Sequence, residues 1–257
     1  MKLVYIHCAG GVGAQILVAL TIGYFKDCKI FIDGSYFGKD GSQLIPNGIN
    51  YFDKVLSNDF LNISFWERNR FVCRVVRKIT KYLARYFKNI IYIDDHNQLK
   101  LKFSSSLVNS DINGKISSSL FSGLDSDRWV KNTAHVRRGD YIAAGLPLLG
   151  LDRLLEVLET ERVPLSSLSV ITDSPKDVLA EFERRNSTCN IINGDATGDL
   201  FTMTRSELFV ASDSQFSLAA ILLSNSMKTV FIPKRWGYLG ISDSILERPN
   251  ISKVVHI

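Results

Sequence analysis

Apolar and polar residues alternate along the chain in a recurring order of short apolar run, turn and longer helical stretch. The first unit reads "LVYIHC", then "AGGVG", then "AQILVALTIGYFK", then "KIFID" ending at Asp33. A strand, a glycine-rich turn, a helix and a second strand make a β-α-β unit, the building block of a parallel sheet. A Gly, Ser and Asn-rich loop, "DGSYFGKDGSQLIPNG", follows. From Trp66 to Asn89 the pattern predicts one amphipathic helix. Val72, Val75, Val76, Ile79, Leu83 and Tyr86 fall on one face, and Arg74, Arg77, Lys78, Lys81, Arg85 and Lys88 mostly on the other. "NIIYIDD" predicts a strand, and 104–127 is rich in Ser, Asn, Asp and Gly, which places a domain boundary near 125.

The second half repeats the order. "TAHVRR", "LSVITD", "CNIIN", "ELFVAS" and "KTVFIP" predict strands. "LDRLLEVLETE", "PKDVLAEFERR", "GDLFTMTRS" and "FSLAAILLS" predict helices between them. Strands alternating with helices give a doubly wound α/β sheet. The expectation is a two-domain α/β protein, 1–125 and 126–257, with a cleft between the domains.

Composition narrows the class. The chain has 257 residues, 46% hydrophobic and 22% charged, enough for a sizeable core. No apolar run reaches the roughly 18 residues of a membrane span, and "MKLVYIHCAGG" lacks the pattern of a signal peptide, so the expected location is the cytoplasm. Cys8, Cys28, Cys73 and Cys189 are far apart and form no C-x-x-C pair, which speaks against a zinc site or a disulfide framework. Charge is local. The 66–89 segment holds eight Lys or Arg against one acid, +7 in a chain whose total is +5. Basicity confined to one segment does not describe a protein that coats nucleic acid.

Candidate chemistry gathers at strand ends, where open α/β sheets bind ligands. "HVRRGDY" (135–141) follows one strand, Thr172 and Asp173 another, and "SDSQFS" (212–217) a third. Adjacent arginines suit a diphosphate, because each guanidinium offers a planar fork of donors and stays charged. In a strand neighbours point to opposite sides, so one of Arg137 and Arg138 is expected to bind phosphate and the other to brace the loop through a carboxylate such as Asp140. Ser214 and Ser217 open a helix, where free backbone N–H groups bind anions or the serines simply cap the helix. "GGVG" is less than a full G-x-G-x-x-G. Asp125 to Asp127, "DSD", has the form of a metal-binding D-x-D but does not follow a clean strand, and Asp94 to His96 are consecutive and cannot readily converge on one ion. No metal site is expected.

Several stretches, in order, resemble the glycosyltransferase family 11 α-1,2-fucosyltransferases. "HVRRGDY" resembles that family's H-x-R-R-G-D-Y, "GGVGAQI" its G-G-L-G-N-Q-M, and "ITDSPKDVLAEF" its S-D-D-P-x-W-V-x-x-x-F. "DLFTMTRSELFVASDSQFSLAAILL" and "KTVFIPKRW" resemble two further motifs. The match covers 1–33 and most of 133–237; 34–125 matches poorly. The resemblance implies two Rossmann-like domains with a central cleft, the GT-B architecture, with an acceptor-binding N-terminal and a GDP-sugar-binding C-terminal domain. It implies inverting, metal-independent transfer of L-fucose from GDP-β-L-fucose to a glycan hydroxyl, galactose O2 in an α-1,2 linkage, in bacterial surface polysaccharide synthesis. Arg137 would stabilise the leaving diphosphate, with Arg138 organising the loop or sharing the task. His135 would bond phosphate or hold the turn, Asp140 is the candidate base, and Asp173 would accept from guanine or ribose. Ser214, Phe216 and Ser217 would line the donor pocket, and Gly11, Gly13 and Gln15 would face diphosphate and fucose from the other domain. The chain departs from the family at Ala14, where the family has Asn, and at Leu218 and Ala219, where it has a Trp pair. Those departures keep open a related transferase using another nucleotide sugar, or a non-catalytic nucleotide-sugar binding protein. The acceptor is expected to be a glycan or lipid-linked oligosaccharide. The 66–89 segment would then meet an anionic membrane surface, at the inner face of the plasma membrane.

Overall fold

The computed structural model describes residues 2–8, 11–22, 25, 27–33, 63–66, 70–93, 110–124, 130–143, 145–146, 148–233 and 248–257. The side chains of 63–66, 70, 110, 140 and 143 are excepted. The chain divides into two compact units, Met1–Leu120 and Phe121–Ile257.

In the first unit four described strands run parallel in the order β3-β2-β1-β4. They are β1 (Lys2–His7), β2 (Cys28–Asp33), β3 (Ile63–Trp66) and β4 (Ile90–Ile93). Helix α1 (Val12–Ile22) is buried from Gly13 to Ile22, as a helix apolar on every side must be. Helix α2 (Arg70–Leu83) occupies the basic segment, whose first residue, Trp66, belongs instead to β3. Asp33, 1% exposed at the end of β2, accepts from Tyr5 Oη at 2.7 Å and from Arg77 Nε and Nη2 of α2 at 3.1 and 2.7 Å. A buried carboxylate needs such partners to stay ionised, and these pin α2 to the sheet.

The polar stretch read as a linker contains a helix, α3 (Ser110–Leu120), packed against α1. Asn113, Ile116 and Leu120 share its buried face. Three positions at i, i+3 and i+7 suffice to seat a helix whose other residues, apart from the half-buried Ile112, are serine, glycine and charge.

In the second unit six described strands run parallel in the order β10-β9-β8-β5-β6-β7. They are β5 (Asn132–Val136), β6 (Leu168–Thr172), β7 (Asn190–Ile192), β8 (Leu208–Val210), β9 (Thr229–Ile232) and β10 (Lys253–His256). β5 and β6 are buried along their whole length; β6 is largely apolar, as a strand covered on both faces tends to be, whereas β5 buries Asn132, Thr133 and His135 as well. Helices α4 (Gly139–Ala143), α5 (Leu151–Thr160), α6 (Pro175–Arg184), α7 (Ala196–Thr204) and α8 (Gln215–Leu223) intervene. The core joins Ala134, Val136, Leu154, Leu158, Val170, Val178, Phe182, Val210 and Phe231. From β5 the chain steps outward to β7, then crosses back to β8 on the other side of β5. That order is the doubly wound Rossmann arrangement, and β5 and β8 flank its topological switch point. The fold is thus α/β with a parallel, helix-connected sheet in each unit.

Candidate functional site

Strand β5 ends at Val136, so Arg137 and Arg138 both lie in the turn beyond it rather than in the strand. The expected alternation of their side chains therefore does not apply. α4 starts immediately afterwards and is closed by a Schellman motif. Leu146 N–H donates to Tyr141 O at 2.9 Å, and Gly145 N–H to Ile142 O at 3.2 Å. Gly145 has φ +63°, a conformation that glycine adopts without a Cβ penalty. The segment Arg137–Tyr141 is thereby short and fixed at both ends.

It is also tied to both neighbouring strand ends. On the β6 side, Asp173 Oδ1 accepts the Arg138 N–H at 2.8 Å, and Asp173 Oδ2 lies 3.3 Å from Arg137 Nε. On the β8 side, Tyr141 Oη donates to the Asp213 carbonyl at 3.1 Å. The Arg137 guanidinium lies 5.7 Å from the centre of the Tyr141 ring, a cation–π distance. Gly139 is there for space: a Cβ on it would stand 2.9 Å from Asp173 Oδ2. The two oxygens of Asp173, the residue expected to accept from guanine or ribose, are turned to Arg138 N and Arg137. It is the brace that the sequence suggested Asp140 might be, and the Asp140 side chain lies outside the described residues. Arg138 Nε is buried and, among the described residues, makes no hydrogen bond.

At the switch point His135, on β5, meets the serines after β8. Its Nδ1 lies 2.8 Å from Ser217 Oγ, 3.0 Å from Ser212 Oγ and 3.4 Å from Ser214 Oγ. The serines are mutually 3.2 Å apart. Ser217 Oγ accepts the Ser212 N–H at 3.1 Å, and Ser214 Oγ accepts the Ser217 N–H at 3.1 Å, the N-cap bond of α8. Phe216 meets the imidazole edge-on, at 5.5 Å between ring centres. Burial, reinforced by the Arg137 charge, pushes the His135 pKa down to about 3. The ring is neutral at physiological pH and serves as a hydrogen-bonding post for the start of α8. Of its two expected roles, holding the turn is the one these contacts describe.

The structure brings together His135, Ser214, Phe216 and Ser217 as one cluster, and Arg137, Arg138 and Asp173 as a second. The turn joins them, since it leaves directly from β5 and reaches Asp213. Gly11, Gly13 and Gln15 belong to the first unit. Gly11 accepts from Gln15 N–H at 3.1 Å at the start of α1 and has open space where a Cβ would be. Gln15 is buried. Asp94 to His96 and Asp125 to Asp127 lie outside the described residues. Sequence reasoning did not single out Ser212, Tyr141 as a tie to β8, or Gly139 as a clearance. Each stands inside a stretch quoted for other reasons, and its role depends on strand register: β5 pairs with β6 as Val136↔Thr172 and with β8 as Ala134↔Val210.

No family model matches the chain, and no curated protein matches it. Similar solved structures include the glycosyl transferase family 9 protein from Veillonella parvula DSM 2008, at 10% identity and TM-score 0.45, covering 100% of this chain and 86% of that one. The E. coli heptosyltransferase WaaC with ADP is similar at 8% identity and TM-score 0.45, covering 99% of this chain and 93% of that one. At these scores the reading of the site rests on the chain's own residues.

Proposed function

We propose that the protein is a GT-B glycosyltransferase that holds a nucleotide diphosphate-sugar at the β5/β8 switch point, and that the donor is GDP-β-L-fucose. The observation that supports this best is the turn Arg137–Tyr141. It places two guanidinium groups at the carboxyl end of a doubly wound sheet, and leaves a buried donor, Arg138 Nε, without an acceptor among the described residues. An unmet buried donor costs about 1–3 kcal/mol, and more where the group is charged. An anionic ligand that supplies the missing acceptor recovers that cost. The N-terminus of α8 adds the positive end of a helix dipole.

Inverting transfer from such a donor builds negative charge on the leaving diphosphate as its C1 gains oxocarbenium character. Arg137 and Arg138 stabilise that charge, which is the part a divalent metal plays in other sites. His135 stays neutral and keeps Ser212, Ser214 and Ser217 in register, so that the α8 terminus does not move as charge develops. The acceptor hydroxyl loses its proton to a carboxylate, for which Asp140 is the candidate. The motif resemblance selects fucose, a galactose O2 acceptor and an α-1,2 linkage on a glycan or lipid-linked oligosaccharide at the cytoplasmic membrane face. Ala14, Leu218 and Ala219, which depart from the family, favour testing other GDP-sugars beside it.

The test is calorimetric titration with GDP and then GDP-fucose in the presence of EDTA, followed by acceptor screening. Metal-free binding of both, with fucose transfer to galactosides, is the expected result. Silence toward GDP, with UDP or a divalent metal restoring binding, would overturn the reading. GDP binding without turnover of any GDP-sugar would make the protein a binding module.

A further inference from the structure

The basic helix of the first unit faces the wrong way for a core helix. Cys73 and Thr80 are its buried residues among those described, with Val76, Arg77 and Leu83 half-buried beside them, and that strip is what it turns inward. Part of the apolar face is exposed: Val75 is 41% exposed, Ile79 53% and Tyr82 58%, while Val76 and Leu83 of that face are half-buried. Tyr86 and Phe87 are exposed in the turns that follow. At 100° per residue, Val75, Ile79 and Tyr82 lie within one arc of about 60°, and the Tyr86 ring, in the turn beyond the helix, lies 5.0 Å from that of Tyr82. Arg74, Lys78 and Lys81 form the adjoining arc, Arg85 follows in the turn beyond it, and all four are exposed. The helix therefore shows three stripes, one fixed to the sheet, one apolar and outward, one cationic and outward.

We infer that α2 is a membrane-docking helix that lays Val75, Ile79, Tyr82 and Tyr86 into an anionic phospholipid surface, with Arg74, Lys78, Lys81 and Arg85 on the headgroups. This deepens the membrane placement within the proposed function but stands on α2 alone, whatever the donor sugar. Charge complementarity selects the occupant. A contiguous apolar stripe bordered by one sign of charge matches an interface whose interior is apolar and whose headgroups carry the opposite sign. A second copy of the chain would bring the same cations face to face with these. α2 is about 21 Å long at 1.5 Å per residue, and among the described residues no helix is long and apolar enough to cross a membrane. The helix lies in the interface. Its anchorage through Arg77 to the buried Asp33 makes it a rigid part of the first unit, so docking orients that unit against the bilayer.

The experiment is co-flotation of the full chain with vesicles of phosphatidylcholine alone or with about one-third phosphatidylglycerol, over a salt series. Binding is expected to the anionic vesicles and to weaken with salt. Lys78→Glu with Arg85→Glu should reduce it by tenfold or more, at roughly fivefold per cation. Ile79→Ser with Tyr82→Ser should reduce it several-fold while leaving the melting temperature and GDP titration unchanged. In a Tyr82→Trp variant the indole emission should shift to the blue on anionic vesicles. Equal binding to neutral vesicles, no blue shift in the Tyr82→Trp variant, or indifference to Ile79→Ser with Tyr82→Ser would each overturn the inference. So would a dimer in solution that those serine variants dissolve, since the stripe would then belong to a second copy. Loss of GDP binding leaves these readouts untouched, so the two proposals fail separately.

Discussion

Asp173, at the end of β6, holds the backbone of Arg138, at the exit of β5, through a 2.8 Å bond from the Arg138 N–H to Oδ1. Its Oδ2 faces Arg137 Nε at 3.3 Å. One carboxylate thus fixes both the main chain and the charge of the turn. Asp173→Ala should cost about 1–2 kcal/mol of stability and weaken GDP binding about tenfold, a change of roughly 1.4 kcal/mol. Asp173→Asn keeps an acceptor for the N–H and should recover most of the stability but less of the affinity. Thermal melts and GDP titrations of both variants check this. Unchanged GDP affinity in Asp173→Ala would show that the brace is dispensable for the ligand.

Gly139 is where that brace is most crowded. A Cβ there would stand 2.9 Å from Asp173 Oδ2, so Gly139→Ala must push the carboxylate off Arg137 or shift the turn. The expected cost is about 1–2 kcal/mol. In the Asp173→Ala background the obstacle is gone and the same substitution should cost much less. A double-mutant cycle measures the difference. Additive costs would mean that Gly139 is needed for its backbone and not for clearance.

His135 gives the site a pH signature. Its pKa falls from 6.5 to about 3 on folding, chiefly through burial. The unfolded chain therefore binds the proton more tightly, and stability rises with pH across that window. The contribution is complete above about pH 6.5 and is lost as pH falls toward 3, with a span on the order of 5 kcal/mol. Chemical denaturation at a series of pH values should show the slope. His135→Asn, which cannot titrate, should flatten it while lowering stability at pH 7 through the lost serine contacts. An unchanged slope in His135→Asn would place the titration elsewhere.

Most strands of the doubly wound sheet were legible because parallel strands covered on both faces become apolar runs, as in β6 and β9, while β5 is buried throughout although three of its five residues are polar. α3 was not. Only Ile116 and Leu120 among its apolar residues are fully buried, and four serines disguise them as a linker. β10 was missed because it is a sheet-edge strand, exposed or half-buried along its length. The periodicity of α2 showed that two faces exist but not which one meets the sheet. That is decided by Asp33, a residue far away in sequence whose buried charge demands Arg77. The polar clusters of the site were visible one by one. Their pairing was not, since Asp173 reaches Arg138 only through the Val136↔Thr172 register, which no local pattern encodes.

The Asp33 pairing itself can be tested. Arg77→Ala strips the buried carboxylate of a cation that donates to it twice, and leaves the Tyr5 hydroxyl still bonded to it. Removing one member of a buried pair typically costs about 3–5 kcal/mol, because the remaining charge is left in a medium that cannot solvate it. Asp33→Asn in the same chain removes that charge and should return part of the loss, so the double variant should melt above Arg77→Ala alone. Because α2 docks through this pair, Arg77→Ala should also raise the proteolytic susceptibility of 70–83 before the chain unfolds globally. A double variant no more stable than Arg77→Ala would mean that Arg77 acts by packing its stem against the sheet and not by neutralising Asp33.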